Sequence, residues 1–221
     1  KPFMALGALE TGKRSATTLI NDPLFFMFGG RRFGRPENER GGIMDMRRAV
    51  VESSNVYFYT LANEMGDDTI HDFMKQLGFG QITGIDINGE VRGVLPSQDW
   101  KRAYYKKREK KKWYAGETIS LGIGQGYNSF TMLQLAHATA TVANNGISRK
   151  PQLVIATRDA STHASVAVPA DPPIDLGYKQ HNIDVIRNAM VGVTQEGTSR
   201  FVFAGAGYLS GGKTGTAQAV G

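Results

Sequence analysis

The chain has 221 residues, 41% of them hydrophobic and 21% charged, with no cysteine and a net charge of +6. That is ordinary globular composition, enough for one large domain or two small ones, and it excludes disulfide frameworks and thiolate chemistry. The four histidines, His71, His137, His163 and His181, are too far apart in sequence to form a local metal-ligand pattern. The basic balance (pI about 9.5) favours anionic surroundings such as nucleic acid, phospholipid or an acidic polymer without selecting one, and no apolar run approaches the 18 residues of a membrane span.

In chain order, residues 2–10 carry a helix pattern with Gly12 as its stop. Residues 21–42 hold turn and basic residues around Phe25 and Phe26 and read as an irregular loop. "IMDMRRAVVES" is an amphipathic helix, "NVYFYTLANEMG" a second one closed by Gly66, and "DTIHDFMKQLG" a third with Asp68 as cap and Gly78 as stop. Residues 79–98 are glycine-rich and turn-rich, and 99–114 hold a basic run. "TMLQLAHATATVANNG" is a helix, "KPQLVIATRD" a strand, and 159–177 a linker or exposed loop. "NIDVIRNAMVGVTQEG" is another amphipathic helix and "SGGKTGTAQAV" is strand-like. Helices dominate, so the class is α+β. Because the sequence opens inside a helix pattern at Lys1-Pro2 and stops just after a strand-like stretch, a piece of a longer protein is expected.

Three short stretches carry chemistry. In "GGKTGTAQ", strand alternation puts Lys213 and Gly215 on one side and Thr214 and Thr216 on the other. A strand glycine marks close approach by a ligand or another backbone, so the lysine would overlook a gap fit for an anion; the plainer alternative is a solvated lysine in a glycine-rich turn. In "ESSNVYFY", Ser53, Ser54 and Asn55 lie between two helices, where one of them serves as an N-cap. In "KPFMALG", Lys1 stands at the first turn of a helix, before a proline that favours helix starts.

Taken in order, Lys-Pro-helix, Ser-x-Asn between helices, and Lys-Thr-Gly-Thr resemble the S-x-x-K, S-x-N and K-T-G signature of the penicillin-recognising serine transferases. "MRRAVVESSNVYFYTLANEMG", "LGFGQITGIDINGEVRGVLP" and "GETISLGIGQGYNSFTMLQLAHATATVANNG" are similar to segments of class B penicillin-binding proteins. "GIGQGY" and the lysine-rich segment before it look most like the elongation-type penicillin-binding protein 2 of Gram-negative bacteria. The 160 positions between Ser53 and Lys213 argue against β-lactamases, whose interval is typically much shorter. "GIGQGY" itself half-matches a dinucleotide fingerprint, but its sixth position is Tyr127 and no strong strand precedes it; a turn of close-packed backbone near the active site is the better reading.

The resemblance implies a transpeptidase fold of a helical layer plus part of a five-stranded antiparallel sheet. Residues 1–221 would be a partial transpeptidase domain, lacking the nucleophile segment upstream and the last strands downstream. With only the Lys213 strand present, the apolar faces of "FMALGAL" and "IDVIRNAMVGV" would be left uncovered. The implied reaction is acyl transfer from D-Ala-D-Ala through an acyl-serine, the serine lying three positions before Lys1 and outside this chain. Lys1 would be the base, Ser53 would relay a proton to the leaving nitrogen, and Asn55 would hold Lys1 and the substrate amide. Lys213, with Thr214 and Thr216, would attract the substrate carboxylate, Gly215 would leave room for the peptide, and the Thr216 N–H would serve the oxyanion hole. Implied partners are peptidoglycan stem peptides, β-lactam antibiotics and a membrane glycosyltransferase of the elongation machinery, with no nucleic acid, cofactor or metal. The implied location is periplasmic, anchored to the inner membrane by a segment outside this chain.

Two other functions fit parts of the sequence. A β-lactam sensor domain would share the motifs. A basic module binding nucleic acid or an anionic polymer would use "DWKRAYYKKREKKKWYAGE", with eight Lys or Arg against two acids between Asp99 and Lys112 and aromatics interleaved; the plain alternative is a solvated face.

Overall fold

The structure, a computed structural model, describes residues 1–34 and 41–215. In chain order it comprises α1 (Pro2–Glu10), β1 (Ile20–Asp22), β2 (Phe26–Phe28), β3 (Arg31–Phe33), β4 (Gly42–Met44), α2 (Met46–Val51), α3 (Asn55–Met65), α4 (Asp67–Gln76), α5 (Gln98–Tyr104), α6 (Arg108–Lys111), α7 (Ala115–Leu121), α8 (Met132–Ala143), β5 (Ile147–Ser148), β6 (Ala156–Arg158), β7 (Ser165–Ala167), β8 (Ile174–Asp175), α9 (Gln180–Gln195) and α10 (Arg200–Phe203). The chain divides into two compact units. One gathers Lys1–Met74, Pro96–Asn128 and the stretch from Lys179 onward; the other holds Lys75–Leu95 and Ser129–Tyr178.

The first unit is helical at its centre. α1 is apolar nearly all round and is buried accordingly, with Met4, Ala5, Leu6 and Ala8 sealed from solvent. Gly7 is there because a Cβ would stand 2.7 Å from the Phe73 ring. α9 presents Ile183, Ile186, Ala189 and Val193, all fully buried, and packs on α1 and α2, while α3 packs on α1 and α7. The expectation that the apolar faces of α1 and α9 would lie uncovered is therefore wrong: these helices cover each other, with α3 also on α1 and α2 also on α9.

Residues 21–42 were expected to be irregular, and the described part is not. β1 pairs antiparallel with β4, Ile20 opposite Met44. β2 and β3 form a hairpin, Phe26 opposite Phe33 and Phe28 opposite Arg31. Gly29 and Gly30, at φ +55° and +75°, supply the two positive-φ positions that a two-residue hairpin turn requires. The hairpin is anchored by Phe26 and Phe33, whose rings lie 6.2 and 5.7 Å from that of Tyr59 on α3.

In the second unit α8 starts at a Thr131–Gln134 capping box. The buried Gln134 amide also donates to the carbonyls of Gln81 (2.6 Å) and Arg92 (2.7 Å). Asp86 accepts the backbone N–H groups of Leu153 and Val154 at 2.8 and 2.7 Å. The expected strand at 150–159 is reduced to β6, and the expected loop at 159–177 contains β7 and β8, which pair with β6 and β5. These strands are two or three residues long and mostly exposed, so no hydrophobic alternation marked them.

The Lys213 segment also departs from expectation. Residues 211–215 pair with no strand among the described residues. The chain docks on α9 instead: Gly212 N donates to Met190 O at 3.0 Å and Thr194 Oγ1 to Ser210 O at 2.6 Å. Residues 216–220 of the expected strand lie outside the described residues.

Candidate active site

The site is assembled at the junction of α2 and α3. α2 ends with Ser53 N donating to Val50 O (3.2 Å) and Ser54 N to Ala49 O (3.0 Å), the two bonds of a Schellman closure. Ser53 occupies its left-handed position at φ +62°, where glycine is usual and any side chain costs roughly 1–2 kcal/mol. The strain has a consequence: it turns the Ser53 hydroxyl out of the helix end and toward Lys1. Ser54 then caps α3, its Oγ accepting from Tyr57 N (3.0 Å) and donating to the buried Asp22 carboxylate on β1 (2.5 Å). Asn55 is the first residue of α3.

Lys1 sits at the N-cap of α1 with Pro2 at the first helical position. Its Nζ donates to Ser53 O (2.5 Å), Ser53 Oγ (3.0 Å) and Asn55 Oδ1 (2.7 Å), and lies 5.7 Å from the ring centroid of the buried Phe58. Lys213 reaches the same hydroxyl from the far end of the sequence, Nζ to Ser53 Oγ at 2.7 Å. Ser53 Oγ therefore stands between two amines. Two cations on one hydroxyl repel, and burial lowers the Lys213 ammonium from 10.5 to about 8.

Lys213 Nζ also contacts Thr214 O and Thr214 Oγ1, both at 3.1 Å, and Thr214 Oγ1 is 2.9 Å from Thr198 Oγ1. Among the described residues, a Cβ at Gly215 would meet nothing within 4 Å. Thr216 lies outside the described residues. Lys1, Ser53, Asn55, Lys213 and Thr214 thus come together as one cluster, with Gly215 at its edge.

Several supports were missed by sequence reasoning. Asp22 has no local signal, since its partner Ser54 is 32 residues away. Thr198 and Phe58 are equally silent. "GIGQGY" is close-packed at its first glycine, where a Cβ at Gly122 would come 2.3 Å from Phe58 O and 2.7 Å from Ala62 Cβ, but not at Gly124, where a Cβ would meet nothing within 4 Å among the described residues. Gly122 lets the end of α7 lie against the backbone of α3 at Phe58. Among the described residues, no cluster of three or more His, Asp or Glu could hold a metal ion.

Known proteins resemble this chain in sequence and in fold. The family model for the penicillin binding protein transpeptidase domain matches residues 1–221. The peptidoglycan D,D-transpeptidase MrdA of Acinetobacter baumannii is 40% identical over 220 residues, covering 99% of this chain and 32% of that protein. Penicillin-binding protein 2 of Pseudomonas aeruginosa superposes with TM-score 0.81 at 35% identity, covering 98% of this chain and 48% of that one. The Helicobacter pylori protein, solved in complex with MreC, gives TM-score 0.82 at 26% identity over 98% of this chain and 38% of that one. The chain spans about a third of the length of the curated relative. With an S-x-N turn set between two lysines, and with sequence and fold similarity along the whole of its length, the chain belongs to the penicillin-binding protein transpeptidase domain family.

Proposed function

We propose that the protein containing this chain is a peptidoglycan D,D-transpeptidase of the elongation type, crosslinking stem peptides by acyl transfer from D-Ala-D-Ala and acylated by β-lactams. The observation that carries this reading is the Ser53 hydroxyl held within hydrogen-bond distance of both Lys1 and Lys213, which is a proton relay with a cation at its open end. The nucleophile is a serine three positions before Lys1. Continued one turn upstream of Lys1, α1 would put the two on one face, about 5–6 Å apart between β-carbons.

The serine oxygen attacks the penultimate D-alanine carbonyl, and its proton passes to uncharged Lys1 Nζ. As the tetrahedral carbon collapses, the bond to the terminal D-alanine nitrogen breaks. The leaving nitrogen takes a proton from Ser53 Oγ, which Lys1 replenishes through their shared hydrogen bond. Asn55 fixes Lys1 through its Oδ1. Lys213 and Thr214 hold the terminal carboxylate, and Gly215 leaves room for the peptide backbone. An incoming amine from a second stem peptide then runs the relay backwards and releases the serine. The Thr216 N–H is assigned to the oxyanion hole, where a donor is worth about 2.7–4 kcal/mol.

Among the described residues no helix is long and apolar enough to cross a membrane, and we assign the chain to the periplasmic part of an anchored protein. Its partners by this reading are a membrane glycosyltransferase and, by extension from the H. pylori complex, an MreC-type protein. The test is crosslinking of lipid-linked peptidoglycan precursors by the full-length protein. Crosslinked dimers that disappear on penicillin treatment support the reading; acylation by penicillin without any dimer would contradict it.

A further inference from the structure

The net charge of the chain is concentrated in one loop. The eight Lys or Arg and two acids between Asp99 and Lys112 amount to a surplus equal to the +6 of the whole sequence. The neck of this loop is a built feature. Lys101 is 2% exposed; its Nζ donates to Lys112 O at 2.8 Å and is ion-paired with Glu117 on α7. The rings of Trp113, Tyr114 and Tyr127 surround it at 5.2–5.8 Å. Tyr127 OH donates to the same Glu117 oxygen at 2.9 Å. Burying an ammonium costs several kcal/mol unless it is fully partnered, and here a carboxylate, a carbonyl and three π-faces partner it.

The clamp ties residue 101 to residue 112, so the chain between them closes into a compact surface loop. On that loop Lys106, Lys107, Arg108, Lys110, Lys111 and Lys112 are exposed, and none makes an ion pair among the described residues. Arg102 pairs with Asp99. A solvated charged face needs no buried clamp, and like charges packed this closely repel.

A cleft of about 530 Å³ opens at the foot of the loop. Its walls are Phe28 and Phe33 of the β2–β3 hairpin and Tyr114 and Tyr127 of the neck, with Arg31 and Glu117 among the lining residues. Trp100 and the exposed Tyr104 stack at 5.1 Å on the loop itself. Flat aromatic faces beside polar groups accept ring-shaped polar ligands.

We propose that loop and cleft form one surface for an anionic glycan–peptide strand, the cleft taking sugar rings against its aromatic faces and the lysines pairing with stem-peptide carboxylates. This rests on the reading of peptidoglycan as substrate and adds a binding surface outside the Ser53 cluster. A lipid surface would satisfy the charge alone and leave the aromatic cleft unused.

The test is binding of the full-length protein to purified peptidoglycan sacculi across a salt series, with a fluorescent penicillin as the activity control. The combined substitution Lys106→Gln, Lys107→Gln, Lys110→Gln and Lys111→Gln should weaken sacculus binding at least tenfold and flatten its salt dependence. Tyr114→Ala should weaken it at every salt concentration. Both variants should label with penicillin within twofold of the parent. Sacculus binding by the four-lysine variant within twofold of the parent would overturn the proposal. So would retained sacculus binding alongside lost binding to phosphatidylglycerol vesicles, which would assign the loop to a membrane. Failure of the parent to label with penicillin would strike the proposed reaction instead, and the sacculus series would still decide this surface.

Discussion

At the residue scale the critical group is Lys213. Half-buried and lowered to about 8, it is a cation below that pH and neutral above it. A group that must be charged to hold a carboxylate therefore loses function as pH rises through about 8. The second-order rate constant for penicillin acylation, which reports the free enzyme, should fall on that limb, and Lys213→Arg, which keeps its charge, should move the fall upward. A profile unchanged by Lys213→Arg would contradict the assignment. Lys213→Ala should slow acylation roughly 30- to 1,000-fold, the equivalent of about 2–4 kcal/mol for a truncated charge partner, while Lys110→Ala should change it less than about twofold. Ser53 offers a separate check. Relief of its left-handed backbone should make Ser53→Gly more stable than Ser53→Ala by about 1 kcal/mol, read as thermal midpoint, with acylation lost in both. A Ser53→Gly protein less stable than Ser53→Ala would show that φ +62° carries no strain.

At the scale of elements, the α2–α3 junction depends on one buried pair. Ser54→Ala removes an N-cap worth about 1 kcal/mol, but it also leaves Asp22, 1% exposed, without its hydroxyl partner. Asp22 keeps the Leu24 N–H at 2.7 Å, so the added loss should be the roughly 1–3 kcal/mol of one buried acceptor site left unmade, and adding Asp22→Asn should recover part of it. Equal stability of the single and double variants would show that Asp22 bears no such load. Behind the site, Gly122→Ala would force α7 off Phe58 O and should cost about 1–3 kcal/mol of overpacking. α1, α2, α3, α4, α8 and α9 were legible because their stops are local, with Gly12, Gly66 and Gly78 marking ends in the sequence itself, whereas the short α5, α6, α7 and α10 were not read as helices. The β2–β3 hairpin was missed, because the basic and turn residues around the Gly29–Gly30 pair read as a loop. β5, β7 and β8 were missed as well, and the strand read over 150–159 survives only as β6, since strands this short and exposed carry no alternation.

At the scale of the whole molecule, the candidate site was readable only as an ordered series of short motifs, because the contacts that unite it span 52 and 160 positions. No periodicity reports such closures. What the motif order could not convey was the support behind it: the Asp22 carboxylate, the Phe58 ring and the mutual burial of α1 and α9, which replaces the uncovered faces first expected. Nor did the basic run disclose that Lys101 is a buried clamp rather than one more solvated charge. Lys1, Ser53 and Lys213 are proposed to serve an acylating serine three residues before Lys1. The direct measurement is peptide mass spectrometry of the full-length protein after penicillin treatment. A penicilloyl adduct on that serine, absent in the Lys213→Ala protein at short times, is the predicted result. An adduct on Ser53 or elsewhere, or no serine at that position, would contradict it.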